Sequence, residues 1–411
     1  MMRRCWLALS TIVAAVAIVA GSARAHEGRR EDEGRRGAIR LLTTIPLPNT
    51  ADNPNKPLAS FDISFLDART QLYYLADRAN KAIDVIDAAK RNVFVKQIQK
   101  GNFAGPSTSN DTAGPNGVVV SGHFLFVTDA PSRVVTIDLR TDKIVSDVKT
   151  GDTKFRADEL AYDPEDGLLL PVNNADDPPF ATLIKVDKET GKLTVLKRVT
   201  FDKAHGVDAT NGAEQPVWDP GTGKFYISIP EIGGDGGSGP DGAVAVISTS
   251  GTVENLFPVK LCQPAGLSLG PRQDLLLGCS VVFDTKGKAW SATDTNSAAP
   301  SQVIMDTRNG SIDRVVAGVG GSDEVWFNEG DGRWYTASRN NPGGPVLGVI
   351  DAEDQTLVQV VPTVNVGSRT AHSVAANPHN NHVFVPLPAN NVFPNCLNGC
   401  FAVFGVPRDD D

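Results

Sequence analysis

Acidic and amide side chains recur along this sequence at the beginning of short β-forming runs, and a histidine occupies the same position once. The set consists of Asp62, Asn116, Asp158, Glu159, Glu214, Gln215, Asp323, Glu324 and His372. Oxygen ligands of this kind are those that Ca²⁺ prefers, whereas Zn²⁺ favours sulfur and nitrogen. If the fold brings these residues together, the pattern predicts an oxygen-rich cation site.

The same residues suggest individual roles. Glu159, Asp323 and Glu324 are the expected metal ligands. A metal can polarise an ester or lactone carbonyl while His372 or Glu214 acts as general base. The other residues at the mouth are expected to bind a ligand without catalysing a reaction; they are Asp62, Asn116, Asp158 and Gln215. His205, which lies in a long loop, is expected to contribute to the same ligand site. The alternative is that the acids only cap strands and bind water, because like-charge clusters also arise in structural networks.

Other chemistries are disfavoured by composition and motif. The 411-residue chain has a net charge of −9, and nucleic-acid or anionic-lipid partners require clustered Lys and Arg instead. No CxxCH motif occurs, which argues against covalent c-type haem, and no serine-hydrolase triad is recognised in the sequence. The glycine-rich run 233–242 lacks the Lys of a phosphate loop and the final Glu of an EF-hand.

A repeat of four β-rich runs positions the predicted site. The clearest copy lies between Gly117 and Gly151, where GVVVS, HFLFVTD, RVVTIDL and KIVSDVKT are separated by turn residues. Seven copies begin near residues 61, 116, 158, 215, 265, 323 and 372. Four meandering antiparallel strands form one propeller blade, so we predict an all-β, seven-bladed β-propeller. A β-sandwich or two β domains would not require seven copies of one unit.

The seventh copy has only three strands of its own. We expect Ile39–Leu47 (IRLLTTIPL) to supply its fourth strand, because pairing of the chain ends closes the ring and removes two open sheet edges. An aspartate follows the third strand of most copies and is expected to cap the turn through backbone N–H groups. These aspartates are Asp87, Asp138, Asp187, Asp306 and Asp351.

The second copy, FVTDAPSRVVTIDLRTDKIVSDVKTG, resembles the YVTN repeat of exported propellers of the YncE type. YYLAD in the first copy and LGVIDA in the sixth are similar but looser, and the resemblance extends from about Phe61 to Val406. It implies a periplasmic or surface propeller that binds a ligand or partner. Related propellers carry haem, quinone cofactors or a lactonase metal site, but no motif of those enzymes can be placed on this chain.

Antiparallel order predicts which loops share a face. The first-to-second and third-to-fourth turns are short, whereas the second-to-third and blade-to-blade connections contain every long insertion, at 102–115, 202–214, 231–241, 281–300 and 389–395. Surplus loop length on one rim is typical of a functional surface. The candidate site residues begin the innermost strands and therefore belong to the channel mouth on that loop-rich face.

The chain ends and the cysteines predict the compartment. Residues 1–25 are predicted to be a signal peptide cleaved after Ala25, 26–37 a flexible leader, 38–407 the propeller and 408–411 an acidic tail. No membrane span is expected after cleavage, and export by the general or the twin-arginine route stays open. The four remaining cysteines predict the disulfides Cys262–Cys279 and Cys396–Cys400, since each pair is close in sequence.

The sequence thus predicts a periplasmic or secreted monomer that binds a small molecule, a cation or a protein on its loop-rich rim without catalysing a reaction. No nucleic-acid partner is expected, and Ca²⁺ is the only specific cofactor suggested. The main alternative is a metal-dependent hydrolase of the lactonase or esterase type at the acidic mouth. Haem or quinone binding in the channel is a third hypothesis.

Overall fold

The computed structural model describes residues 37–407 apart from 52–53, 90 and 238. The predicted signal peptide, all of the predicted leader except Gly37, and the acidic tail lie outside the described residues. The first ten strands are β1 (Arg40–Pro46), β2 (Ser64–Asp67), β3 (Leu72–Asp77), β4 (Ala82–Asp87), β5 (Val93–Ile98), β6 (Val118–Ser121), β7 (Phe124–Asp129), β8 (Arg133–Asp138), β9 (Lys143–Lys149) and β10 (Leu160–Asp163). The next ten strands are β11 (Leu168–Asn173), β12 (Phe180–Val186), β13 (Leu193–Thr200), β14 (Pro216–Asp219), β15 (Lys224–Ile229), β16 (Asp241–Ser248), β17 (Val253–Lys260), β18 (Pro264–Leu269), β19 (Asp274–Cys279) and β20 (Phe283–Asp284). The last ten strands are β21 (Ala298–Ala299), β22 (Ser301–Asp306), β23 (Ile312–Ala317), β24 (Val325–Asn328), β25 (Arg333–Ser338), β26 (Val346–Asp351), β27 (Thr356–Pro362), β28 (Ala375–Asn377), β29 (His382–Leu387) and β30 (Cys400–Gly405). Short 3₁₀ helices lie at Asn110–Thr112, Lys203–His205 and Pro271–Gln273.

Seven four-stranded antiparallel sheets form the blades of a propeller. Blades 1 to 7 begin at β2, β6, β10, β14, β18, β24 and β28; blades 1 to 6 run outward in chain order, and blade 7 has β1 as its outermost strand. The first strands of neighbouring blades contact each other in a closed ring, β28 with β2 included. The predicted all-β class and the count of seven blades are both confirmed.

Apolar side chains fill the spaces between adjacent blades. Between blades 3 and 4, for example, Leu183 and Phe201 pack against Phe225 and Ile227, and all four are buried. The outermost strands instead alternate exposed and partly buried residues, as in β9. A strand with one solvated face shows this period of two, which is why the fourth strands were visible in the sequence.

The N-terminal strand closes the ring. β1 pairs antiparallel with β30, from Arg40 opposite Gly405 to Pro46 opposite Cys400, and forms the outer edge of blade 7. Ile45 is only 3% exposed and lies in the core between blades 7 and 1. The predicted strand exchange between head and tail is therefore confirmed.

Covalent and capping interactions also match the sequence-based expectations. Both predicted disulfides are present, with Cα–Cα distances of 4.8 Å for Cys262–Cys279 and 4.9 Å for Cys396–Cys400. Disulfides persist in oxidising compartments, so the chain belongs to such an environment. The carboxylates of Asp87, Asp138, Asp187, Asp306 and Asp351 each accept a hydrogen bond from the backbone N–H two residues later. Within the described residues, no helix is long and apolar enough to cross a membrane.

The two faces of the propeller differ as predicted. Short turns join first to second and third to fourth strands, and the long insertions lie on the opposite face. Hereafter these are the tight-turn face and the loop face. The insertion at 281–300 was expected to be a plain loop, but it contains a small hairpin of β20 and β21. Asp284 organises the start of this hairpin by accepting from the N–H groups of Lys286 and Lys288.

Candidate functional site

A polar cavity of about 520 Å³ occupies the channel mouth on the loop face. It is called the mouth cavity below. Its walls come from residues that precede the first strands and from residues that follow the second strands. The charged side chains that line it are Asp62, Arg78, Arg156, Asp158, Glu159, Glu214, Asp323, Arg339 and Arg369, together with His372. Its size is within the range of small-molecule sites.

The most buried charge in the mouth cavity is the guanidinium of Arg78, whose side chain is 3% exposed. It donates to Asp62 Oδ2 and to Asn116 Oδ1, the latter from Nε at 3.0 Å and from Nη2 at 2.7 Å. Asn116 in turn donates to the carbonyl of Ala157 at 2.8 Å. Blades 1, 2 and 3 are therefore linked by one chain of polar contacts at the channel axis.

Two further arginines pair with the other aspartates. Arg156 Nη2 lies 2.6 Å from Asp158 Oδ2, and its Nη1 lies 3.7 Å from Asp62 Oδ2. Arg339 Nη1 lies 2.7 Å from Asp323 Oδ2, and this arginine is about one third exposed. Each predicted aspartate of the mouth thus has a guanidinium partner. The arrangement is an ion-pair network rather than a convergence of free carboxylates.

His372 is held by protein groups on both ring nitrogens. Nδ1 lies 2.8 Å from the carbonyl of Thr370, and because a carbonyl only accepts, Nδ1 carries a proton. Nε2 lies 3.4 Å from Asp62 Oδ1, and the ring stacks on Phe61 with centroids 4.8 Å apart. A role as general base would require Nε2 to exchange its contact with Asp62 for one with a substrate.

Burial and the arginines pull the carboxyl pKa values apart. Burial acts to raise the pKa of Asp62, but Arg78, His372 and Arg156 together hold it well below its ordinary value. Burial raises the pKa of Asp158 to about 7, against the opposing charge of Arg156. Burial also raises the pKa of Glu214 to about 8, with a further contribution from Asp158. Near neutral pH the mouth therefore contains both ionised and protonated carboxyl groups.

Six of the ten sequence-predicted site residues line the mouth cavity: Asp62, Asp158, Glu159, Glu214, Asp323 and His372. Asn116 is fully buried and does not line the cavity, but its side chain accepts hydrogen bonds from Arg78. Gln215 and Glu324 line the cavity at the other end of the channel instead, because side chains alternate along a strand. The structure does not bring His205 to the mouth. It lies on the 3₁₀ helix Lys203–His205, is 61% exposed and contacts Asp202.

The expected calcium site has no matching cluster in the parts of the chain that are described. There, no group of three or more His, Cys, Asp or Glu side chains is placed to hold a metal ion. Of the three expected ligands, Asp323 pairs with Arg339, and burial raises the pKa of Glu159 and of Glu324 well above its ordinary value, so the residues fit Ca²⁺ poorly. Metal binding stays a prediction that elemental analysis has to test.

Sequence reasoning missed the arginines. Arg78 and Arg339 each follow the last residue of a second strand, in YYLADR and RWYTASR, and that position opens onto the channel mouth. Arg156 and Arg369 come shortly before the first strands of blades 3 and 7. Their position in the blade repeat could have identified these arginines, since residues that follow the second strand lie at the same level of the channel as residues that precede the first strand.

Comparison with known proteins adds no family assignment. No protein-family model matches the sequence, and no curated protein is similar enough to be matched. The propeller fold consequently rests on the structure itself, and that fold supports a role in binding or scaffolding only in general terms. The ligand has to be inferred from the site.

Proposed function

We propose that this chain is an exported propeller of the YVTN-repeat type that binds a small, hydrophilic carboxylate or phosphate in the mouth cavity without transforming it. The observation that carries the proposal is the presence of four arginines around one polar cavity. Arginine offers several N–H groups in a planar fork that matches carboxylate and phosphate oxygens.

The charge balance of the cavity supports an anionic ligand. Asp62 and Asp323 offset two of the guanidinium groups. Asp158 is about half ionised near neutral pH because its pKa is raised to about 7, and Glu214 is mostly protonated because its pKa is raised to about 8. The guanidinium groups therefore outnumber the ionised carboxylates. The cavity carries net positive charge within a chain whose overall charge is −9.

Arg369 is the group best placed to capture the ligand. It is exposed at the opening, and no side-chain partner for its guanidinium occurs among the residues that the structure describes. Hydroxyl groups of Ser60, Ser107 and Ser368 line the same cavity and can bind further oxygens of a polar molecule. Arg339, being partly exposed, can add a second guanidinium contact.

Calorimetric titration of the purified chain with citrate, a uronic acid, a sugar phosphate and the matching neutral sugar tests the proposal. At least one anion should bind, with affinity that falls as salt rises, and Arg369→Gln should weaken it about tenfold or more. Arg140→Gln is the matched control, because Arg140 pairs with Asp138 on the tight-turn face. Equal binding of the neutral sugar, or an unchanged affinity in Arg369→Gln, would contradict the proposal.

The same purified protein also tests the alternative that the chain is a metal-dependent hydrolase. Turnover of a lactone or ester panel that is abolished by chelation and by Glu159→Gln or His372→Ala would replace the binding role with catalysis. An absorbance spectrum of the untagged protein tests for haem or quinone, and elemental analysis tests for calcium.

A further inference from the structure

A second cavity, of about 510 Å³, opens at the other end of the channel, on the tight-turn face. It is called the aromatic cavity below. Its walls come from the first strands and include Phe65, Tyr162, Trp218, Trp326 and Phe327, all of which are partly exposed. Phe65 and Trp326 meet edge to face with ring centroids 5.6 Å apart. Large aromatic side chains left open to a concave space are typical of a ligand site rather than of a finished core.

Two buried glutamates form the floor of the aromatic cavity. Glu159 and Glu324 come from blades 3 and 6, are 5% and 3% exposed, and lie next to each other. Glu159 borders both cavities, so the pair lies where the two meet. In the described structure, Glu159 Oε2 and Glu324 Oε1 are buried and have no hydrogen-bond partner. A buried acceptor without a donor costs free energy, which a ligand that supplies the donor would recover.

The charge around the pair distinguishes this cavity from the mouth cavity. The titratable groups that act on Glu159 and Glu324 from the channel side are Asp62, Asp158, Glu214 and Asp323. Burial raises the pKa of both glutamates well above its ordinary value; repulsion from Glu324 adds to this at Glu159, and repulsion from Asp323 adds to it at Glu324. No Lys, Arg or His is among the described residues that line the aromatic cavity, and Glu329 adds an exposed carboxylate at its rim.

We propose that the aromatic cavity binds a small apolar amine in its protonated form. The ammonium group donates to the free oxygens of Glu159 and Glu324, and the hydrocarbon part lies against Trp218 and Trp326. Aromatic faces attract cations, and a carboxylate strengthens a hydrogen bond from ammonium.

A neutral apolar ligand fits the site less well. It would fill the aromatic walls but leave both glutamate oxygens without a donor, and an anion would meet repulsion from the acids and from Glu329. The charge of the ligand is thus the feature that the floor selects.

Isothermal titration of the purified chain with 2-phenylethylamine, compared with 2-phenylethanol, tests this inference. The amine should bind about tenfold or more tightly than the alcohol. Fluorescence of Trp218 and Trp326 provides an independent readout of occupancy.

Glu324→Gln is the decisive variant, because it preserves the shape of the side chain and lines only the aromatic cavity. It should weaken amine binding about tenfold or more, whereas Glu165→Gln, a change at an exposed residue on the same face, should leave the affinity unchanged. Urea unfolding of each variant confirms that the fold persists. Equal affinity for amine and alcohol, unchanged binding in Glu324→Gln, or absence of binding by 2-phenylethylamine, tryptamine and cyclohexylamine alike would overturn the inference. The result is independent of whether the mouth cavity binds an anion.

Discussion

Replacing Arg78 by methionine should destabilise the propeller more than most single substitutions at its channel. The change keeps an apolar stem but removes the guanidinium that donates to Asp62 and twice to Asn116. Removing one partner of a buried ion pair costs about 3–5 kcal/mol, because the other charge remains buried without compensation. Arg156 at 3.7 Å and His372 at 3.4 Å still face Asp62, so we expect a loss near the lower limit, about 3 kcal/mol.

The pH dependence of this loss follows from Asp62. Its pKa is held below the ordinary value by Arg78, His372 and Arg156, so the folded protein binds fewer protons there than the unfolded chain. Such a carboxylate contributes stability above its unfolded pKa of about 4 and loses that contribution as the pH falls through the folded pKa. The difference between wild type and Arg78→Met should therefore be full at pH 7 and narrow below about pH 4.

Urea unfolding monitored by tryptophan fluorescence measures the effect, and a double-mutant cycle with Asp62→Asn separates the pair from its surroundings. The double variant should lose less than the sum of the single losses, with a coupling of about 2 kcal/mol, since the neutral amide introduced by Asp62→Asn no longer needs a cation. Additive losses, or a difference that stays constant from pH 7 to pH 3, would refute the argument that Arg78 acts by neutralising Asp62.

Three further predictions concern closure, covalent bonds and the carboxyl pair. Ile45→Ala in β1 should cost about 3 kcal/mol in urea unfolding, because the side chain is 3% exposed, whereas Thr43→Ala, at an exposed position of the same strand, should change it by less than about 0.5 kcal/mol. Replacing Cys262 and Cys279 by alanine should lower stability by about 3 kcal/mol, and equal unfolding midpoints with and without reductant in wild type would contradict this. Glu324→Gln should be more stable than wild type at pH 9 and similar in stability at pH 4. The pKa of Glu324 is raised in the folded state, so the folded wild type binds a proton that the unfolded chain has released, and it loses stability as the pH rises. Parallel plots of stability against pH for the two proteins would argue against this prediction.

Much of the fold was predictable because propeller blades are local. Each blade is a meander in which every strand pairs with its sequence neighbour, so turn residues and strand periodicity are enough to recognise it. Even the closing strand was predictable, since β1 was a β-rich segment without a partner beside a blade that had only three strands. The disulfides followed from spacing for the same reason, as both close short loops.

The candidate site was predictable only in part. Residues that begin the first strands were found because the blade repeat assigns them to the channel mouth, and six of the ten do line that cavity. The charge state of these residues was not predictable, because it depends in part on arginines from other blades. Arg78 and Asp62 are neighbours in blade 1, but Arg156 comes from the segment before blade 3 and also faces Asp62.

The amino-acid sequence by itself determined the blade count, the closure of the ring, the disulfide pairs and the distinction between loop face and tight-turn face. Only the tertiary structure decided that the acids of the mouth pair with arginines, that Glu159 and Glu324 meet across the channel, and that aromatic residues leave an open cavity beneath them. The reason is physical. Hydrogen bonding within a blade joins residues that are close in sequence, whereas the channel brings together side chains from seven separate repeats, and their mutual distances set both burial and charge.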